Sequence, residues 1–324
     1  MSIRIPPLMS GGLITNYHCT SKCRHCLYRS SAKREKGYVD YQTARDCFRT
    51  ARRMGCQNMH IGGGESFLDF EGLKEVLRAA QREGITIEYV ETNSIWFSSL
   101  DRAVEMLGEL KGLGLEQLLV SISPLHNEYI PLRKVRGVMA ACNRSGLQIF
   151  PWVKGFLPDM ETLDENVTHS IEEYQLLFGS DYLEDFPDRY WVHWGGRALE
   201  TFRQFAILRP AKVFIDMTDP CRCLLDTTHF HFDLNGNYIP GLCSGLAIRR
   251  EDVEHVLPAS NYPVINALVE EGMGGLAAIA GLADIKPSRE GYMNKCDLCD
   301  DLRGQLSRAG WAGSGELAPA GHYA

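Results

Sequence analysis

The sequence predicts an α/β protein, a partial (β/α)6 TIM-like barrel followed by a small α+β region. Three observations carry this. Over the first two hundred residues, short apolar runs alternate with segments of helical periodicity. The residues suited to chemistry fall just after those runs, where the strands of a parallel barrel end. Past residue 210 the alternation stops, and a hairpin pattern with a new set of cysteines replaces it. The expected division is therefore 1–210 and 211–324.

Residues 12–17 read as the first strand and 41–54 as the first helix, with apolar positions at helical spacing. A strand over 57–61 precedes a helix over 71–83, and a strand over 85–91 precedes a helix over 100–113. A strand over 117–122 and a helix over 132–144 follow. Strands are expected at 148–154 and 190–194, with helix between them over 163–178. Six strands joined by helices imply parallel pairing and right-handed crossovers. A complete eight-stranded barrel takes about 250 residues, more than this region offers. In the second region, 230–239 alternates around Asn235-Gly236, a dipeptide suited to a two-residue hairpin turn. Residues 263–281 read as helix, weakened by Gly272, Gly274 and Gly275. The Gly/Ala/Ser-rich tail after Trp311 reads as disordered.

Composition narrows the function classes. The chain has 324 residues, 44% hydrophobic and 23% charged, as in an ordinary globular protein. A formal charge of −7 argues against a large nucleic-acid footprint. No apolar run is expected to cross a membrane, and the start lacks a signal-peptide core. Eleven cysteines are many, and eight fall in clusters at 19, 23, 26, then 221, 223, 243, then 296, 299. Such clusters suggest metal in a reducing, cytoplasmic compartment rather than a disulfide framework.

Cys19, Cys23 and Cys26 are spaced C-x3-C-x2-C directly after the first strand. Three thiolates can hold three irons of a [4Fe–4S] cluster and leave the fourth iron free for a ligand. The competing reading is zinc, with His18 or His25 as fourth ligand. Gly62-Gly63-Gly64-Glu65 follows the second strand; its glycines let backbone approach a ligand closely, and Glu65 adds a negative charge. Thr92-Asn93-Ser94 follows the third strand, as polar ligand contacts or as a helix-capping loop. Ser121 and Ser123 close the fourth. Arg133 and Arg136 lie beyond and suit a carboxylate. His126 reads as a hydrogen-bonded structural histidine, and Trp191, His193 and Trp194 as filling for the barrel mouth or a stacking surface for adenine. Asp181, Glu184, Asp185 and Asp188 read as a solvated face, with attraction of a cationic substrate as the sharper alternative. Cys47, Cys56 and Cys142 read as packing.

The cysteine spacing, its place after the first strand and the glycine–Glu65 loop after the second resemble the radical S-adenosylmethionine (radical SAM) superfamily. The resemblance covers most of residues 12–200. It implies a [4Fe–4S] cluster on Cys19, Cys23 and Cys26, with SAM chelated on the open iron through its amine and carboxylate. It implies that Gly62, Gly63, Gly64 and Glu65 hold the SAM amino group. Thr92, Asn93, Ser94, Ser121, Ser123 and Arg133 would complete the cofactor site. Two departures stand out: Ser66 replaces the usual proline, and Ser123 stands where many relatives carry an acid. The implied reaction is one-electron reduction of the sulfonium by an external donor of flavodoxin or ferredoxin type. The resulting 5′-deoxyadenosyl radical takes hydrogen from a substrate carbon.

Cys223, Cys243, Cys296 and Cys299 could fully ligate an auxiliary [4Fe–4S] cluster, with structural zinc as the rival. Their placement around a hairpin, after a barrel core, resembles the twitch domain, a shortened SPASM domain. Five cysteines for four positions leave one thiol spare, either Cys221 or Cys223; Cys223 sits nearer the hairpin and is favoured as the ligand, so Cys221 is the candidate spare. Such a thiol, facing the barrel mouth, would return hydrogen to carbon and make the enzyme an epimerase in natural-product biosynthesis. Without it, a dehydrogenase or peptide-modifying maturase is the alternative, and a non-catalytic iron–sulfur or zinc protein is the alternative of another class. The substrate is left as a small molecule or a peptide.

Overall fold

The computed structural model describes residues 3–150, 154–217, 219–311 and 314–323. The first half runs β1 (Ile3–Arg4), β2 (Gly11–Ile14), α1 (Tyr41–Arg53), β3 (Asn58–Gly62), α2 (Phe70–Glu83), β4 (Thr86–Thr92), α3 (Leu100–Gly112) and β5 (Gln117–Val120). It continues with α4 (Pro124–Asn127), α5 (Leu132–Ser145) and β6 (Gln148–Phe150). Short helices follow: α6 (Leu157–Met160), α7 (Ile171–Phe178), α8 (Phe186–Arg189), α9 (Arg197–Phe202) and α10 (Ala211–Ile215). The C-terminal part holds β7 (Phe230–Asp233), β8 (Asn237–Ile239), β9 (Ile248–Arg249), β10 (Val256–Leu257), α11 (Pro263–Leu282) and α12 (Lys295–Arg308).

The α/β class holds. One eight-stranded sheet has the order β6-β5-β4-β3-β2-β7-β8-β9. Its strands from β6 to β7 are parallel, and β8 and β9 are antiparallel additions. Helices α1, α2, α3 and α5 connect successive parallel strands, and their apolar faces bury Phe48, Leu77, Leu107 and Val138 completely or nearly so. Local chemistry fixes their starts: Asp40, Asp69 and Ser99 each accept a first-turn N–H of the helix they precede.

Several expectations need correction. Residues 190–194 do not form a strand. The sixth parallel strand is β7, on the far side of β2. Aromatic residues give 190–194 a strand-like composition, but the segment is drawn to the cysteine loop instead. Arg197 N donates to Cys26 O at 3.1 Å. A Cβ on Gly196 would stand 2.3 Å from Leu27 O, so only glycine, at φ 55°, fits there. The helix expected over 163–178 begins only at Ile171, because Ser170 and Glu173 form a capping box. The strand expected over 148–154 is described over Gln148–Phe150; 151–153 lie outside the described residues, and Lys154 already belongs to a short 3-10 turn.

The tail is folded rather than disordered. Buried Glu316 accepts hydrogen bonds from Val264 N at 2.7 Å and Ile265 N at 2.9 Å, satisfying orphan donors at the start of α11. Helix α11 also differs from expectation: it is long and apolar enough to cross a membrane. Over half of its most apolar stretch is buried inside the protein, and Gly272, at φ 64°, kinks it.

The hairpin expected around Asn235-Gly236 is present, β7 pairing antiparallel with β8. It is not set apart from the parallel sheet. Strand β7 pairs in parallel with β2, Gly11 opposite Phe230 through Ile14 opposite Asp233.

Candidate functional site

Two adjoining cavities carry the chemistry-bearing residues. The first, of about 280 Å³, lies at the C-terminal ends of the parallel strands. Cys19, Cys23 and Cys26 all line it, and so do Gly63, Gly64 and Glu65. Thr92, Asn93 and Ser121 close the same space. The sheet explains the convergence. Strands β2, β3, β4 and β5 are neighbours, so the loops leaving them meet above one end.

Hydrogen bonds hold the thiols in place. Ser21 N donates to Cys19 Sγ at 3.3 Å, and Asn93 Nδ2 approaches the same sulfur at 3.5 Å. Arg197, on α9, clamps the loop from behind: its Nε donates to Cys23 O at 2.8 Å and its Nη2 to Ser30 O at 2.7 Å. Burial pushes the Cys19 thiol up to about 12, with the Glu65 charge adding to it. Cys23 is raised by burial, then by Cys26 and Cys19. Such thiols ionise only against a cation, which suits metal ligation. N–H donors to sulfur are the partners an iron–sulfur cluster uses.

Glu65 is buried. Its Oε1 accepts from Thr92 Oγ1 at 2.8 Å and Phe67 N at 3.2 Å, and its Oε2 from Asn93 N at 2.7 Å. Burial nevertheless raises its carboxyl to about 7. Oε2 keeps room for a further donor. The GGGE loop sits hard against the cysteine loop: Gly64 N donates to Asn16 O at 2.7 Å, and a Cβ on Gly64 would stand 2.0 Å from His18 O.

Other expected residues fall elsewhere. Arg133 is exposed and does not reach the cavity, because the first turn of α5 points it outward; Arg136 pairs with Glu161 and Glu165 on the surface. Gly62 belongs to β3 and does not line the cavity. Ser94, at φ 72°, is buried behind the loop, and Ser123 Oγ is bonded to His126 Nδ1 at 2.7 Å. These residues support the wall rather than face a ligand, though His126 itself lines the cavity. Asp181, Glu184, Asp185 and Asp188 are exposed and line neither cavity, so the solvated-face reading stands. Cys47, Cys56 and Cys142 are fully buried packing.

The second cavity, of about 60 Å³, gathers all five remaining cysteines: Cys221, Cys223, Cys243, Cys296 and Cys299. Cys221 therefore does not face the barrel mouth, contrary to expectation. A turn after Pro220 tucks it under α11, where Cys221 N donates to Leu268 O at 2.8 Å. Burial, then Cys299, push its thiol up to about 11. Buried Arg303 lines the same space with its Nε unpaired, so a fixed positive charge faces five thiols. That donor set fits an anionic sulfur-ligated cluster. The two cavities share His193 and Leu242 as wall. A salt bridge from Arg29 to Asp300 at 2.9 Å ties the first cysteine loop to the helix bearing Cys296 and Cys299.

From sequence, Glu91 and Arg197 are placed only in the segments that close the third and sixth expected strands, and Tyr28 and the histidines at 60, 229 and 231 are given no role. Glu91 lines the first cavity, and burial followed by the Glu65 charge raises its carboxyl to about 7. His229 and His231 share one face of a strand pattern, which was a readable signal. His60 gave none.

Residues 13–144 match the model of the radical SAM superfamily. YydG of Bacillus subtilis (strain 168), whose name assigns it to peptide biosynthesis, is 23% identical over 159 residues. The match takes in 48% of this chain and 47% of YydG, so the chain spans about half the length of the curated relative it matches. Among solved structures, native anSMEcpe with bound AdoMet is 13% identical at a TM-score of 0.44, covering 95% of this chain and all of that one. SuiB of Streptococcus suis, bound to the precursor peptide SuiA, is 12% identical at a TM-score of 0.37, covering 91% and 76%.

Proposed function

We propose that the protein is a radical SAM enzyme with an auxiliary iron–sulfur cluster. The carrying observation is that Cys19, Cys23 and Cys26 share one cavity with Gly63, Gly64, Glu65, Thr92 and Asn93. The family match over residues 13–144 supports the same reading. When bound, the cluster and SAM supply the 5′-deoxyadenosyl radical that removes hydrogen from a substrate carbon.

The chain's own part is positioning. Glu65 Oε2, with one acceptor site unused, would hold the ammonium of SAM, and Asn93 and Ser121 line the same cavity and would offer it polar contacts. Arg197 fixes the backbone of the cysteine loop, whose three thiols would hold the cluster beside the cavity. Trp191 and Tyr190 form the outer wall and narrow the access of water. Arg303 balances the charge of a second cluster held by four of the five thiols in the second cavity. An external donor of flavodoxin or ferredoxin type supplies the electron, and the compartment is cytoplasmic.

We take the substrate to be a peptide, on the printed name of the Bacillus relative. Epimerisation with Cys221 as hydrogen donor is one outcome. The place of Cys221, among the second set of thiols rather than in the first cavity, favours the other. In that reading Cys221 is a ligand or neighbour of the auxiliary cluster, which would take the second electron from the substrate radical as that radical loses a proton and becomes the oxidised product.

The test is anaerobic reconstitution followed by SAM and dithionite. The expected product is 5′-deoxyadenosine, with about eight irons per chain for two cubes; Cys26→Ala should form none. Loaded protein that leaves SAM intact sinks the proposal. Product analysis in deuterium oxide with Cys221→Ala separates the outcomes, since only the epimerase needs a thiol hydrogen at carbon.

A further inference from the structure

At the edge of the first cavity lies a group of donors that the radical chemistry does not use. His60 on β3, His231 on β7 and His229 just before β7 converge, their ligand atoms all within 4.8 Å of one another. The sheet builds this convergence. Gly12 on β2 is the register partner of His60 on one side and of His231 on the other. A Cβ on Gly12 would stand 2.3 Å from His60 Nε2. With no side chain between them, the two imidazoles meet across the strand, Nε2 to Nε2 at 3.0 Å.

The surroundings are those of a ligand set. Tyr28 OH is bonded to His231 Nδ1 at 2.8 Å, which orients the ring and leaves Nε2 turned toward the group. His229, the least buried of the three, brings its ring to 5.0 Å from that of His231 and 5.2 Å from that of His60. Glu91 Oε1 lies 3.9 Å from His60 Nε2. His229, His231 and Glu91 all line the cavity.

We propose that His60, His229 and His231 hold one divalent transition-metal ion of the zinc class, with Glu91 beside it. The ion's remaining position opens on the cavity and takes an oxygen donor of the substrate, a carbonyl or carboxylate. Two imidazole nitrogens at right angles on an ion with bonds of about 2.1 Å lie about 3.0 Å apart, and at the tetrahedral angle about 3.4 Å. The observed 3.0 Å falls in that range. A hydrogen bond between His60 and His231 accounts for the same distance, but it gives His229 and Glu91 no part. Imidazole and carboxylate suit a zinc-class ion, whereas the thiols nearby suit iron–sulfur chemistry. The site is thus chemically separate from the two cysteine sets while sharing the substrate's cavity.

The experiment uses the full chain, reconstituted anaerobically with iron and sulfide so that its thiols are occupied. It is titrated with Zn²⁺, the retained zinc is counted, and X-ray absorption identifies the ligating atoms. The expected result is about one zinc per chain with nitrogen and oxygen ligands only. His229→Ala should weaken zinc binding by more than about tenfold while iron and sulfide counts stay unchanged. His60→Asn, which keeps a hydrogen-bonding side chain on β3, should do the same. Failure to retain zinc, zinc on sulfur, or equal affinity in both variants overturns the proposal. Loss of iron would instead count against the radical SAM reading, so the two failures are distinguishable.

Discussion

Gly64→Ala tests whether the glycine loop and the cysteine loop must touch. Gly64 has an ordinary backbone conformation, so alanine meets no torsional penalty there. The obstacle is purely steric: the new methyl would lie 2.0 Å from His18 O, 2.5 Å from His18 C and 3.0 Å from Tyr17 C. A carbon–oxygen contact settles near 3.3 Å, so the loops must part by about 1.3 Å. Backbone atoms on both sides resist, because Asn16 holds Gly64 N through both its carbonyl and its Oδ1. The cost should be about 1–3 kcal/mol, the range for overpacking. Cys19 follows His18 directly, so the displacement moves a thiol proposed as a cluster ligand. The measurements are the denaturation midpoint and the iron and sulfide counts after anaerobic reconstitution. Both should fall. Gly108→Ala is the matched control, since a Cβ there meets nothing within 4 Å on helix α3. It should stabilise by about 0.5–1 kcal/mol with iron unchanged. A Gly64→Ala protein with native midpoint and full iron would refute the claim that this contact shapes the site.

Three further outcomes follow from the same geometry. Glu65 ionises near pH 7, and only its charged form attracts an ammonium, so SAM affinity should rise between pH 6 and 8 and level above; calorimetry should show this slope lost in Glu65→Gln. Arg197→Lys keeps the charge but loses the fork that reaches Cys23 O and Ser30 O, so the loaded protein should lose iron faster to a chelator, at a stability cost of roughly 1–3 kcal/mol. Glu316 is raised from its ordinary 4.5 to about 7 by burial, so the folded chain holds a proton that the unfolded chain sheds between those values. Its contribution to stability is greatest at low pH and falls as pH rises through that window, by at most roughly 3 kcal/mol. Urea midpoints of wild type and Glu316→Gln should diverge across it in the variant's favour, and parallel curves would contradict the assignment.

Much of the site was readable in the chain because local signals carried it. The C-x3-C-x2-C spacing, the glycine–Glu65 loop and Thr92-Asn93 each sit directly after an apolar run, and parallel strands bring such positions together. What could not be read depended on partners distant in sequence. The aromatic residues of 190–194 have strand-like composition, yet Gly196 and Arg197 commit that segment to the cysteine loop. The tail looks featureless, but Glu316 finds the bare N–H groups of α11. Arg133 has the right chemistry for a carboxylate and the wrong helix face. The meeting of His60 and His231 rests on an empty place at Gly12, and a glycine in a strand does not announce what lies either side of it.

The parallel pairing of β2 with β7 also bears on the order in which the molecule is made. Strand β2 sits mid-sheet, yet its second neighbour lies more than two hundred residues further along the chain. At synthesis rates of about 5–20 residues per second, one edge of β2 waits roughly 10–40 s on the ribosome. During that wait the loop of Cys19, Cys23 and Cys26 has emerged, but Tyr28 and Gly12 still lack their histidine partner from β7. Metal delivered to the nascent chain would meet open thiols on a half-built sheet. On the proposed cluster assignment, faithful loading is expected only after the C-terminal hairpin has arrived.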